Sequence, residues 1–583
     1  MGVLSNIKPE KVFYYFEELT KIPRGSYNEK AVSDYITGFA KDRGLEVYQD
    51  DLYNVVIIKE AASGREEDPA IILQGHIDMV NEKTPDSTHD FEKDPLDIYI
   101  DGDYIRAKGT TLGADDGIAV AYMLAILDDE SIRAPRLEMV FTVSEEVGME
   151  GAHGVDLSKL RGKQLINIDS EDEGILLAGC AGGMRAEVRL PLEYEGIDKI
   201  GLYRLKEATD VNLSRNINET KNVNETGETS KTENEKKSSG DVKCGIIKIS
   251  GLLGGHSGQE IDKQRINADH MLARVLLSLI NSGFDIRPVS MQGGGKDNAI
   301  PFEAYAEVVF KAADESEIKK KLAEINSEIK NEYRNTDGGA TLSLDVMNYE
   351  HNNEKKSDNA EHDSAGKKRD ESDCYENVCC ENDRYVMTPS SVRKALGLIL
   401  ALPNGIVKMS GDIEGLVETS LNLGVMKTVK SVIESADTVA EDTDIDTGAF
   451  AHKTGESRTL ILTYALRSSV GSAKKALAER FRLIAESFGA KVGFHGEYPA
   501  WEYKEKSELR DKVINVFEEM YGRKPEVSVI HAGVECGLLA EKIPGLDAIS
   551  YGPDMYDIHT ANEHLSISSA GRMYDYLIRI IES

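Results

Sequence analysis

Ala70-Ile71-Ile72-Leu73-Gln74-Gly75-His76-Ile77-Asp78-Met79-Val80 is the stretch around which the remaining elements arrange themselves. Its apolar run, with charge before it and a glycine after it, reads as a buried strand ending at Gln74. His76 and Asp78 then leave that strand on a loop. In an H-x-D pair on extended backbone both side chains lie on the same side. The carboxylate can hold one imidazole nitrogen while the other faces a metal or a proton in transit. An isolated pair of this kind is more often a solvated loop edge, so its chemistry depends on partners elsewhere in the chain.

The same pattern recurs. Leu137 to Val143 reads as a strand that delivers Ser144-Glu145-Glu146, Leu165 to Ile168 as one that ends in Asp169, and Ala548 to Tyr551 as one whose following loop carries His559. Between them a glycine-rich turn, Gly109 to Gly117, places Asp115 and Asp116 before the apolar run Ile118 to Leu127, which predicts a buried helix. One carboxylate at that helix start suits an N-cap, and the second is surplus to capping. In an open α/β sheet, strand ends of one polarity set their loops along one edge, where ligands bind. His76, Asp115, Glu145, Glu146, Asp169 and His559 can therefore converge. Helical periodicity between residues 10 and 45 and a strand pair from Tyr48 to Lys59 complete the expected fold class: α/β, with a mixed, largely parallel sheet flanked by helices.

Residues 185–495 read as a separate α+β domain inserted into the first. The strand Ile246 to Ile249 leads into Gly254-Gly255-His256-Ser257-Gly258, a helix is expected from Asn267 to Leu279, and an extended run from Asn298 to near Phe310. A weaker second version of this pattern has strands at Glu418 to Val425 and Ile461 to Arg467 and a helix from Ala473 to Ser487. Polar, apolar-poor segments near 206–243 and 351–384, with a milder one at 434–457, cannot bury enough surface to offset their ordering entropy and are expected to be flexible insertions.

The 583 residues allow at least two domains, and 40% hydrophobic with 29% charged residues indicates a globular chain. No window approaches the roughly 18 apolar residues of a membrane span, and the first residues lack a basic segment followed by an apolar one. A cytoplasmic location is the expectation. With 69 Lys and Arg against 102 Asp and Glu, the formal charge is −33, which disfavours nucleic acid and anionic membranes as partners. The six cysteines lack zinc-ribbon spacing and are too few for a disulfide scaffold.

Two histidines and several carboxylates without cysteine form a nitrogen-and-oxygen ligand set suited to Zn²⁺, Mn²⁺ or Co²⁺. One metal needs fewer carboxylates than are present. Two metals bridged by a carboxylate, each with a His and a second carboxylate, use His76, Asp169, Glu146, His559 and Asp115. That leaves a glutamate beside the metals, as a general base requires, and Asp78 as the partner of His76.

HIDMV (76–80), KGTTLGADDGIAVA (108–121), SEEVGMEGA (144–152), NIDSEDEG (167–174), GCAGG (179–183), GGHSG (254–258), NAIP (298–301), HAGVECG (531–537) and the late His559 resemble the aminoacyl-histidine dipeptidases (Xaa-His dipeptidase, peptidase D). These are co-catalytic zinc exopeptidases related to carboxypeptidase G and acetylornithine deacetylase. The resemblance runs from near residue 5 to near 580 and fails mainly in the polar insertions. It implies a dinuclear-metal catalytic domain of 1–184 and 496–583, and a lid of 185–495. It implies that His76 and Asp169 hold one metal, Glu146 and His559 the other, and that Asp115 bridges. Glu145 is then the general base toward a metal-bridged water and Asp78 the orienting residue. His256 would stabilise the oxyanion, although GGHSG by itself reads as a turn. Asn298 and Arg467 would bind the substrate's terminal carboxylate. His531 and Glu535 fit a substrate pocket or a structural loop equally well. The implied reaction is hydrolysis of dipeptides. The resemblance also suggests a homodimer, although a repeated lid could bury the same surface within one chain.

A tripeptide aminopeptidase or an N-acyl amino acid deacylase of the same superfamily shares this chemistry. The tripeptidases resemble GADDKAG where this chain has Gly117-Ile118, and they lack DSEDEG. A catalytically silent metal-binding scaffold is the reading from another class. Every position that hydrolysis needs is occupied, which argues against it.

Overall fold

The computed structural model describes residues 2–197, 242–347, 385–411, 413–430 and 457–583. Most of the three polar insertions expected from composition lies outside the described residues. Their margins do not: Val242 and Lys243 belong to the strand Val242–Ser250, and Ser457 begins the strand Ser457–Ser468. Backbone pairing with a neighbouring strand orders these residues where composition alone predicts no structure.

The alternation of apolar runs and helical segments builds an eight-stranded sheet. Its order from edge to edge is Glu46–Gln49, Val55–Lys59, Leu137–Thr142, Ile71–His76, Gln164–Asn167, Asp547–Ser550, Ile175–Cys180 and Glu526–Ile530. The four central strands, Leu137–Thr142 through Asp547–Ser550, run parallel. Antiparallel pairs frame them on both sides, so the sheet is mixed with a parallel centre. Both faces of its centre are covered, so apolar residues of the central strands point to either side. Ile71–His76 and Leu137–Thr142 are buried at every position.

The helix Ala114–Leu127 is buried on all sides. It packs between the Ile71–His76 strand and the amphipathic helix Glu10–Leu19. Lys30–Asp42, Glu508–Tyr521 and Ile567–Glu582 add their apolar faces to the same core. The parallel centre directs the carboxyl ends of four strands to one edge, which fixes where the strand end at His76 and the loops carrying Glu145, Asp169 and His559 emerge.

Ten of the twelve described strands between Gly182 and Tyr498 form a second sheet in which every pairing is antiparallel. Burial alternates along Gly182–Gly196, the signature of one covered face. Helices Ala268–Asn281, Glu315–Glu332, Pro389–Ala401 and Gly471–Ser487 contribute to the core on that face. The strands Val417–Lys430 and Ser457–Ser468 pair directly, so both versions of the repeated pattern enter one sheet. The single extended run expected from Asn298 to Phe310 is two strands instead. Ala299–Ile300 pairs with Gly255–His256, and Ala304–Lys311 joins the large sheet. Pro301 lies between them and lacks the N–H needed to continue a ladder.

Two chain segments pass side by side between the sheets. Cys180 N–H donates to Trp501 O at 2.9 Å, and Trp501 N–H to Cys180 O at 3.1 Å.

Candidate active site

The Ile71–His76 strand runs two residues further than its apolar pattern suggests, because His76 continues the parallel register opposite Thr142. Ile77 N–H then donates to Thr142 O at 2.8 Å. His76 is 1% exposed, and both its ring nitrogens face carboxylates. Its Nδ1 lies 3.3 Å from Asp78 Oδ1, within ion-pair range but off the line of a hydrogen bond. Its Nε2 lies 3.1 Å from Asp115 Oδ1 and 3.6 Å from Asp169 Oδ1.

The other Asp115 oxygen, Oδ2, lies 3.2 Å from His559 Nε2, and that nitrogen is 3.0 Å from Glu146 Oε1. One carboxylate therefore faces two imidazoles, one through each oxygen. The His559 side is half-exposed and the His76 side closed, so the site opens to solvent beside His559 and Glu146.

These residues fit a pair of metal ions. Ligand atoms about 2.0–2.1 Å from one tetrahedral zinc lie roughly 3.3 Å from each other, and the separations above bracket that value. Nitrogen and oxygen atoms of Asp115, Glu146 and His559 lie within 4.8 Å of one another. So do those of His76 with Glu145 and Glu146, and of His76 with Asp116 and Asp169. Charge points the same way. Burial pushes the His76 imidazole down, but Asp115, Asp169 and Asp78 outweigh it and leave its pKa well above the usual value. Burial also opposes protonation of His559, yet Asp115 and Glu146 lift it to about 11. Asp169, desolvated among other carboxylates, is pushed up to about 7. A cluster that draws protons so strongly onto its histidines also attracts divalent cations.

Asp78 is buried and ties the strand ends together. Its Oδ1 accepts from Glu145 N–H at 3.0 Å, and its Oδ2 from Glu146 N–H at 3.4 Å and from Ser26 Oγ–H at 2.8 Å. The chain turns into Glu145 through Ser144, whose φ is 50°. Buried Glu29 stabilises that turn by accepting from Ser144 N–H at 3.0 Å and Ser144 Oγ–H at 2.6 Å. Among the described residues the Glu145 carboxylate accepts no hydrogen bond, and burial raises its pKa well above the ordinary range. A desolvated, unbonded carboxylate beside the metal ligands is suited to accept a proton.

Neither Asp115 nor Asp116 caps the helix through its side chain. Both depart from helical backbone angles, and Asp116, fully buried, accepts from His76 N–H at 3.2 Å. The free amides before the helix go to Glu563. Its carboxylate accepts from Leu112 at 2.7 Å, Gly113 at 2.9 Å, Ala114 at 2.7 Å and Asp115 at 3.4 Å. On the other side of that loop, Arg24 donates to Gly113 O, and to Ile77 O and Asp78 O at 3.0 Å each. Sequence reasoning missed both residues. Glu563 has a faint signal in lying four residues beyond His559; Arg24 has none.

A second group forms where the two-stranded ribbon of Gly255–His256 and Ala299–Ile300 meets the ten-stranded sheet. His256 sits in a two-residue strand opposite Ala299, and Ser257 N–H donates to Asn298 O at 2.8 Å, which brings Asn298 beside it with an exposed side chain. His256 Nδ1 accepts from Gln259 N–H at 3.1 Å, which leaves the ring proton on Nε2. Burial and nearby Arg467 lower its pKa to about 4. Arg467 is 9% exposed, donates to Tyr498 Oη at 2.9 Å, and keeps a buried Nε without a partner. Gly258 lets His256, Arg467 and His531 approach: a Cβ there would lie 3.0 Å from His256 Cε1, 3.3 Å from Arg467 Nε and 2.5 Å from His531 O.

Among the described residues no hydrogen bond or ion pair joins this group to the metal ligands. The HAGVECG segment spans the two. His531 Nε2 pairs with Ser420 Oγ at 2.8 Å. Buried Glu535 accepts from Gln74 Nε2 at 2.6 Å and Thr142 Oγ1 at 2.7 Å beneath the strand ends.

The profile described as Peptidase family M20/M25/M40 matches residues 72–583. The chain is similar to the cytosol non-specific dipeptidase of Escherichia coli (strain K12), with 31% identity over 100% of this chain and 99% of that protein. The crystal structure of aminoacylhistidine dipeptidase from Vibrio alginolyticus superposes with a TM-score of 0.75 at 28% identity, covering 99% of this chain and 97% of that one. A tripeptidase from Staphylococcus aureus shares the fold with a TM-score of 0.51 at 15% identity, covering 99% and 98%.

Proposed function

The chain belongs to peptidase family M20/M25/M40, and we propose that it hydrolyses the peptide bond of dipeptides at the His76–Asp115–His559 cluster. The observation that carries this reading is the two-sided placement of Asp115, with Oδ1 3.1 Å from one imidazole and Oδ2 3.2 Å from the other. We assign His76 and Asp169 to one metal position, Glu146 and His559 to the second, and Asp115 to both. Zinc suits these ligands, as do manganese and cobalt. Bound there, the two divalent ions supply Lewis acidity to the scissile carbonyl and the attacking water.

The chain's own groups do the rest. Glu145 takes the proton of the attacking water and returns it to the leaving amine. Asp78 holds His76 and the Glu145-Glu146 backbone in register. His256, with its proton on Nε2, donates to the developing oxyanion, and Arg467 with Asn298 binds the terminal carboxylate, for which a guanidinium fork is suited. The His256 group and the metal ligands are separate here, and we assign their meeting to the substrate-bound state. We place the catalytic domain at 1–184 and 496–583 and the lid at 185–495. We also place the protein in the cytosol, as the name of its Escherichia coli relative suggests, and assign it a homodimeric assembly.

The test compares purified wild type with Glu145→Ala on β-Ala-His, Gly-His and Gly-Leu, each supplied with zinc, manganese or cobalt. Removing the base should lower turnover about 10²- to 10⁴-fold with metal content unchanged. Equal turnover by both proteins removes Glu145 from the mechanism. No turnover by either favours a silent metal-binding scaffold. Comparison of the three substrates shows whether a histidine leaving residue is required.

A further inference from the structure

The loop that carries Asp115 is gripped from two sides by buried, oppositely charged residues. Glu563 is 3% exposed and directs both carboxylate oxygens at four consecutive amides, Leu112 to Asp115. Arg24, 2% exposed, takes the Gly113 carbonyl and also the carbonyls of Ile77 and Asp78. One guanidinium thus joins the loop after His76 to the loop before Asp115.

Two glycines leave it room. A Cβ on either Gly113 or Gly117 would lie 2.5 Å from Arg24 Nη2, and Gly113 has a φ of 68°. The glycine spacing in GADDG is therefore set by the approach of a side chain from residue 24. Desolvating a carboxylate and a guanidinium is costly unless their hydrogen-bonding groups are occupied. Here four amides of one loop occupy the carboxylate, and carbonyls of both loops take the two terminal nitrogens of the guanidinium, while its buried Nε has no partner.

Glu563 also lies on the loop of His559. That loop is a tight turn: Glu563 N–H donates to Thr560 O at 3.1 Å, Thr560 Oγ1–H to Asp557 O at 2.7 Å, and Asn562 N–H to Thr560 Oγ1 at 3.1 Å. His559 faces Asp115 Oδ2, while Glu563, four residues on, holds the amides that lead to Asp115. The two loops are joined twice, once through the prospective ligands and once through the clamp.

We propose that Glu563, with Arg24, is the positioning element that holds Asp115 facing both metal positions, and so couples occupancy of the His559 position to that of the His76 position. Glu563 touches neither substrate nor metal. It acts through the backbone of residues 112–115. The inference rests on the two-metal reading above.

The test titrates metal-free wild type and Glu563→Gln with Co²⁺, following stoichiometry, affinity and the visible cobalt spectrum. Glutamine keeps the size but turns an NH₂ toward backbone donors. The variant should bind its second equivalent about 10- to 100-fold more weakly, the usual consequence of losing a residue that orients a ligand, with an altered cobalt spectrum. Glu563→Asp, which keeps the charge at shorter reach, should recover part of the affinity. Two equivalents at wild-type affinity with an unchanged spectrum in Glu563→Gln would overturn the proposal.

Amide hydrogen exchange on the metal-free wild type decides the matter even if the variants do not fold. Slow exchange at residues 112–115 supports the clamp, and exchange at the rate of open loops refutes it. A wild type that takes up fewer than two equivalents defeats the two-metal reading itself, whereas the exchange result reports on the clamp alone.

Discussion

Asp78 touches more than the imidazole it was expected to orient. Beyond its contact with His76, it accepts from the backbones of Glu145 and Glu146 and from Ser26. His76 faces both Asp115 and Asp169. Substitution His76→Ala should therefore abolish one metal equivalent, measured by elemental analysis. Asp78→Asn should keep both equivalents at saturating metal while lowering turnover or metal affinity about 10- to 100-fold. An Asp78 variant that empties the site as fully as His76→Ala would contradict this division. At this scale the sequence was most legible where a side chain carries chemistry. His76, Asp115, Glu145, Glu146, Asp169 and His559 stand at strand ends or a helix start and come together. Arg24 and Glu563 were not legible, because a residue that binds backbone amides or carbonyls carries no spacing rule. Asp116 lay between: one of its two possible tasks, capping, passed to Glu563, and its carboxylate turned to the His76 amide.

Elements meet at Gly75 with no space to spare. A Cβ there would lie 2.4 Å from Asp116 Oδ2 and 2.7 Å from Ala119 Cβ, so the His76 strand sits on the buried helix through a glycine. Gly75→Ala should cost about 1–3 kcal/mol of stability, as overpacking does, and lower metal affinity with it. Denaturant unfolding and metal titration check both. In the helix Ala268–Asn281, Asp269 is fully buried with neither oxygen hydrogen-bonded, and burial raises its pKa well above 3.8. A carboxyl whose pKa rises on folding contributes its stability fully below pH 3.8 and loses it as pH climbs toward the folded value. Asp269→Asn should therefore unfold at a higher temperature than wild type at pH 8, with the gap shrinking toward pH 4. A gap that is independent of pH refutes this account of Asp269. The apolar runs located these elements well. They missed the two-residue extension of the strand to His76, which register with Thr142 imposes, and the break at Pro301, which distributes one run over two sheets.

On the scale of the whole molecule, one parallel sheet centre aims four strand ends at a shared edge, while the large antiparallel sheet with Arg467 and the short ribbon with His256 present a second group. The Cys180–Trp501 backbone pair and the His531–Ser420 hydrogen bond link the two. Long-range pairings of this kind leave little trace in local sequence, which is why the relation between the groups was not legible from spacing. If the metals bind the folded chain alone, free metal at 100-fold above its Kd should stabilise it by about 2.7 kcal/mol for each site filled. Thermal unfolding with and without a chelator measures that, and identical curves would exclude metal binding of this strength. The most direct test of the central claim is anomalous diffraction from crystals equilibrated with zinc. Two peaks about 3.5–4 Å apart are expected, one against His76 and Asp169, the other against Glu146 and His559, with Asp115 between them. A single peak, or two peaks with Asp115 bound to one or neither, would contradict it.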